Sequence, residues 1–118
     1  MHPALVRFLD EYQGYLNATE EKCDITEERF AEIKQIVNTN GVTEELLSEL
    51  FTLHHRLFQI AYFLMESHTR VNNIRANYSE EDQKIIDAYE DVSKRAGVLV
   101  CDIGDYRTEL EKSNNHTI

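Results

Sequence analysis

The residues of this chain whose types could do chemistry are a trio of histidines and a set of spaced carboxylates. His54, His55 and His68 sit within one apolar stretch. Imidazoles there could ligate a transition metal or carry a proton near neutral pH. Fourteen residues of helix separate His54 from His68 by about 21 Å, too far to share an ion. No Glu-x-x-His pair stands beside them to build a two-metal carboxylate centre. The expectation is hydrogen-bonded histidines on an apolar helical arc, setting helix register together with Asn72.

The carboxylates offer a different chemistry. A magnesium ion needs a few of them converging on one point. Asp87-x-x-Glu90 and Asp102-x-x-Asp105 supply two i, i+3 pairs. The two pairs are similar to the acidic motifs with which all-α nucleotide pyrophosphohydrolases hold magnesium, and that likeness implies a metal-dependent hydrolase. Both pairs fall on one helix, however, about 22 Å apart. They meet only if that helix folds back at Gly97. Asp87, Asp91, Asp105 and Glu109 also lie opposite the apolar stripe of their helix, where a solvated acidic face is expected.

Neither cysteine is placed as a nucleophile. Cys23 lies among acids that raise a thiol pKa, and Cys101 has no neighbouring base in sequence. Their separation matches no metal-ligand spacing, and the four glycines form no phosphate-binding loop. The sequence therefore leads us to expect no catalytic residue, no cofactor and no metal. Asn17-Ala-Thr19, Asn77-Tyr-Ser79 and Asn115-His-Thr117 fit the N-glycosylation pattern, of which about one would arise by chance, and glycosylation is not the expectation.

Composition narrows the functional classes. Twenty-two acidic residues against twelve basic ones give a formal charge of −10. Direct nucleic-acid binding needs clustered Lys and Arg to displace phosphate counterions, and none are clustered here. An acidic surface favours a basic protein surface as partner, mimicry of nucleic acid, or solubility alone. The first residues do not read as a signal peptide, and no apolar run is long enough to span a membrane. A cytoplasmic protein with reduced thiols is the expectation.

These residues must be carried by helices. With four Gly and one Pro in 118 residues, long periodic stretches run without punctuation. The patterning predicts an all-α, single-domain chain (residues 1–118) resembling a four-helix bundle. Two short N-terminal helices, 3–16 and 26–39, flank an acidic connector at 18–25. A long antiparallel coiled-coil hairpin of helices 43–77 and 79–112 follows, and residues 113–118 form a frayed polar tail.

Asn40-Gly41 supplies a left-handed helix stop, while Thr43 and Ser79 supply N-caps. Leu50, Leu57, Leu64, Val71 and Tyr78 repeat every seven residues, with Leu46, Leu53, Ile60, Ser67 and Ile74 offset between them. The last helix repeats Ile85, Tyr89, Val92, Ala96, Leu99, Ile103, Tyr106 and Leu110. Residues 43–78 carry four acids and three bases, and Phe51, Phe58, Ala61 and Met65 add a second apolar stripe. That helix is expected to be covered from several sides by the other helices, or by another copy of the chain.

A function must then lie on the faces outside the seam. Gly97 and Gly104 each cost about 1 kcal/mol relative to Ala inside a helix. Small residues at this spacing admit another backbone, either from the first helices of the same chain or from a partner. Val98 stands in the middle of the acidic face, and Phe63 projects toward Arg56, Gln59 and Arg70; either could anchor a partner. The candidate partner-binding residues are thus Asp87, Asp91, Asp105, Glu109, Gly97, Gly104, Phe63 and Val98.

The leading expectation is a non-enzymatic acidic adaptor or inhibitor, of phage or immunity type by analogy of size and charge, that binds a basic protein surface. The alternative is a homo-oligomeric scaffold or assembly factor, a homodimer at its simplest. A magnesium-dependent nucleotide pyrophosphohydrolase is the third reading.

Overall fold

The computed structural model describes residues 2–73 and 78–116. Within them the chain forms three α-helices and no strand: α1 Pro3–Asn40, α2 Glu44–Asn73 and α3 Glu80–His116. The ends fall where the backbone chemistry puts them. Gly41 adopts φ +83° and returns its amide to the Val37 carbonyl at 2.9 Å, closing α1 in the left-handed form that Gly tolerates best. Thr43 Oγ1 accepts from the Leu46 amide at 3.2 Å, and Ser79 Oγ accepts from the Asp82 amide at 3.1 Å. Both hydroxyls satisfy an otherwise orphaned N-terminal donor.

The N-terminal region departs from expectation. The two short helices, 3–16 and 26–39, are one 38-residue helix, and the supposed connector at 18–25 is its middle. The reason lies in the spacing. Leu5, Tyr12, Thr19, Thr26 and Ile33 are seven residues apart, and so are Leu9, Leu16, Cys23, Phe30 and Val37. The repeat never lapses; only its side chains change, from large apolar ones to Thr and Cys. Gly14 faces open space, where it weakens a helix by about 1 kcal/mol without breaking it. At the other end α3 runs to His116, past the tail expected from residue 113, because no Gly or Pro halts it. Residues 74–77 of the expected 43–77 helix, with Ile74, lie outside the described residues, as do the side chains of Ser67, His68, Arg70, Val71 and Asn72.

Each helix packs against both of the others, in a rod 59 Å long and about 20 Å across. Arg107 on α3 meets the Leu47 carbonyl near the start of α2, while Glu90 and Ser93 lie by Met65 farther along it. The α2–α3 pair is therefore antiparallel. The core runs in two clusters along the rod. One joins Cys23, Phe30 and Ile33 to Leu50, Leu57, Ala61, Ala96, Leu99 and Ile103. The other joins Leu5, Phe8 and Leu16 to Leu64, Ile86, Tyr89 and Val92. Ile86 takes the buried place expected of Ile85, which is only half-buried.

Polar contacts tie each pair of helices. Arg95 reaches from α3 to Asp24 at 2.6 Å and Glu27 at 3.0 Å on α1. Arg29 on α1 donates to Glu49 on α2 at 2.8 Å, and its guanidinium holds that carboxyl below its ordinary pKa. Arg107 donates to the Leu47 carbonyl at 3.2 Å and lies 5.0 Å from the centre of the Phe51 ring. The N-terminus is pinned as well: the His2 amide donates to the buried Asp82 carboxylate at 3.0 Å. Exposed pairs of this kind each contribute under about 1 kcal/mol, so they set alignment more than stability.

Two threonines replace apolar residues in the α1 seam. Thr19 Oγ1 donates to the Tyr15 carbonyl one turn back at 2.7 Å, while Thr26 Oγ1 is buried with no hydrogen-bond partner among the described residues. A buried unsatisfied hydroxyl costs about 1 kcal/mol or more. Thr26→Val should therefore stabilise the fold by about 1 kcal/mol, read as a melting midpoint raised by roughly 4 °C. Thr19→Val, which removes a satisfied hydroxyl, should change it less.

Candidate functional site

The outer surface of α3 sorts by angle around its axis. Asp87, Asp91, Asp105 and Glu109 all point outward and are exposed, with Val98 at the crest of the same stripe, 60% exposed. None of the four carboxylates forms an ion pair among the described residues; Asp87 accepts a hydrogen bond from Gln83 at 3.0 Å. The structure thus brings five of the expected residues onto one face. Lys94 and Asp102 flank Val98 one turn to either side, and Lys94 pairs with Glu90 at 3.2 Å.

Gly97 and Gly104 lie beside this stripe, on the flank of α3 that turns toward α2. A methyl group placed on either would meet no atom of another part of the chain within 4 Å among the described residues. The small residues are therefore not there to admit α1 or α2, the packing their spacing first suggests. Gly97 lies in an open trough of about 720 Å³, lined also by Met65, Ser93, Val98 and Cys101, with Glu90, Lys94 and Asp102 beside them; Gly104 lies about two turns along α3, outside its lining. Ser93 Oγ is buried there and has no hydrogen-bond partner among the described residues.

The flank of α2 from which Met65 reaches the trough corrects the expectation for that helix. Its second apolar stripe is not covered from several sides. Ala61 is buried, but Phe51, Phe58, Tyr62 and Met65 are each about half exposed, at 45%, 48%, 52% and 47%. The cause is the single α1. Four helices would have enclosed α2; with three, it has two neighbours and one open flank.

Phe63, also half exposed, lies elsewhere. It stacks on Tyr15 of α1 at 5.6 Å, on the flank of α2 turned away from the trough, so it does not join the α3 residues. Arg56 and Gln59 are exposed near it on α2.

The residues first considered for metal chemistry stay apart. α3 passes through Gly97 without a break, so Asp87/Glu90 and Asp102/Asp105 remain separate along one helix. Among the described residues no group of three or more His, Cys, Asp or Glu side chains could hold an ion. His54 is half-buried and its Nδ1 donates to the Phe51 carbonyl at 2.9 Å, since that carbonyl can only accept. His55 stacks on the Phe51 ring at 5.6 Å and is exposed. No helix among the described residues is long and apolar enough to cross a membrane. No protein-family model, curated protein or solved structure shows a significant match to the chain.

The stripe of Phe51, Phe58, Ala61 and Met65 was readable as apolar in the sequence, which did not single out Tyr62 beside it. The exposure of the stripe was not readable, because periodicity gives the width of an apolar arc and not the number of neighbours that will cover it.

Two measurements check this surface. Gly97→Ala and Gly104→Ala should each stabilise the fold by up to about 1 kcal/mol in chemical denaturation, since the added methyl meets nothing and favours helix. Destabilisation would show that α3 is packed there. The cysteines should also separate. Cys23 is buried and its thiol pKa is pushed up by that burial, while Cys101 is exposed on the trough. A disulfide reagent should titrate one thiol in the folded protein and the second only on unfolding, and Cys101→Ser should remove the fast one.

Proposed function

We propose that this chain is a non-enzymatic helical interaction protein, an adaptor or inhibitor that offers the acidic stripe of α3 to a basic surface of a partner protein. The observation that carries this reading is the alignment of four acids along one exposed stripe of α3, set against Asp24, Glu27 and Glu32 of α1 and Glu49 of α2. Asp24, Glu27, Glu32 and Glu49 are taken up by Arg95 and Arg29 within the molecule. Asp87, Asp91, Asp105 and Glu109 point to solvent without a basic partner among the described residues. Like charges one turn apart cost a few tenths of a kcal/mol per pair, which an opposing basic surface would offset.

A homo-oligomeric scaffold is the second reading, favoured by the half-exposed Phe51, Phe58, Tyr62, Phe63 and Met65. The seven-residue spacing of all three helices supports a coiled-coil character in either case.

The two readings separate in solution. For the adaptor, a partner retained from a lysate of the native host at low salt should elute well below about 1 M salt, where the Debye length falls to about 3 Å. Replacing Asp87, Asp91, Asp105 and Glu109 together by Lys should abolish retention. Retention that survives both high salt and the charge reversal would overturn the adaptor reading. For the scaffold, sedimentation equilibrium should give a multiple of 13.8 kDa that falls to the monomer on Phe63→Glu.

A further inference from the structure

Resting on the adaptor reading, we infer that the trough between α2 and α3 is a docking groove for one amphipathic helix of the partner, with basic residues flanking its apolar side. Three independent features of this face agree. The first is shape. Gly97 and Gly104, seven residues apart on α3, leave open space where side chains would stand, with no atom of another element within 4 Å among the described residues. Two glycines in a helix interior cost about 2 kcal/mol together relative to alanine. No contact among the described residues returns that cost, and the close approach of an external backbone is the use that would.

The second feature is the apolar wall. Phe51, Phe58, Tyr62 and Met65 follow one flank of α2 for fourteen residues, a length of about 21 Å, or four turns. Half-exposed aromatic rings each leave on the order of 100 Å² in water. With half-exposed Met65 the row exposes on the order of 400 Å² in all, the Arg107 guanidinium and His55 ring lying against its Phe51 end, at the scale that marks an interaction site. A small-molecule pocket would be closed at its ends; this surface is open along the helix axis and matches the i, i+7, i+11, i+14 spacing by which a helix lies in a groove.

The third is charge, and it decides between occupants. Glu90 and Asp102 line the trough, Lys94 there is paired with Glu90, and Val98 belongs both to the lining and to the acidic stripe of α3. A second copy would bring another chain of charge −10 against this one. A basic flank lowers the same potential. The groove thus recognises the apolar face of the partner helix, and the stripe recognises its lysines or arginines.

The probe is a synthetic amphipathic helix of leucine and lysine carrying one tryptophan, titrated into the intact protein. The chain has no tryptophan, so the indole emission reports the peptide alone. Binding should blue-shift that emission. Gly97→Leu, Gly104→Leu and Phe58→Ser should each weaken it at least tenfold, with unchanged helical circular dichroism. The pair Glu20→Gln and Glu21→Gln, acids of α1 away from the groove, should leave affinity within about twofold. A leucine–glutamate peptide of the same pattern should not bind.

Equal binding by wild type and the Gly→Leu variants would overturn the groove. If that binding still vanished on charge reversal of the α3 stripe, the adaptor reading would stand without it; if it survived both, neither would. A dimer in sedimentation that Gly97→Leu dissociates would also overturn the proposal, by giving the groove to a second copy.

Discussion

The continuity of α1 is the constraint from which the rest of the structure follows. Its seven-residue repeat carries through Thr19, Cys23 and Thr26, where the side chains are too small or too polar to look like core. A break there would have given two short helices able to lie on two sides of the hairpin. An unbroken helix can lie on one side only. It fills the groove between α2 and α3 along its own length and leaves their far side bare. The open flank of α2 and the unfilled glycine shelf of α3 are both consequences of one helix not ending.

Much of the architecture was legible because local chemistry announces it. Asn40-Gly41, Thr43 and Ser79 each act through the backbone within a few residues, and each sits where its cap or stop was expected. Leu50, Leu57 and Leu64, and Tyr89, Val92, Ala96, Leu99 and Ile103, are buried as their spacing required. What could not be read was anything set by the number of neighbours. Thr19 and Thr26 are fully buried although their composition suggests a connector, because a heptad position is filled by geometry and not by hydropathy. Phe51 and Phe58 are exposed although their composition suggests a core.

The candidate surface divides the same way. That Asp87, Asp91, Val98, Asp105 and Glu109 share a face follows from 3.6 residues per turn. That Phe63 stands apart from them depends on the side of α2 that α1 occupies, and Tyr15 marks that side. The arginines add a further division. Arg95 and Arg29 pair with Asp24, Glu27, Glu32 and Glu49 while aligning the helices, which leaves the outer stripe of α3, like Asp10, Glu11, Glu20, Glu21 and Glu28 of α1, without an ion pair among the described residues.

The rod shape has a consequence for how this molecule behaves in solution. At 59 Å by 21 Å by 20 Å its frictional drag exceeds that of a sphere of equal mass. A single chain will diffuse slowly and leave a sizing column early, at the volume of a larger globular protein. Tumbling will also be anisotropic, slow end over end and fast about the long axis, so amide vectors along the helices relax differently from those tilted away from them. Hydrodynamic size here reports elongation before it reports the number of chains.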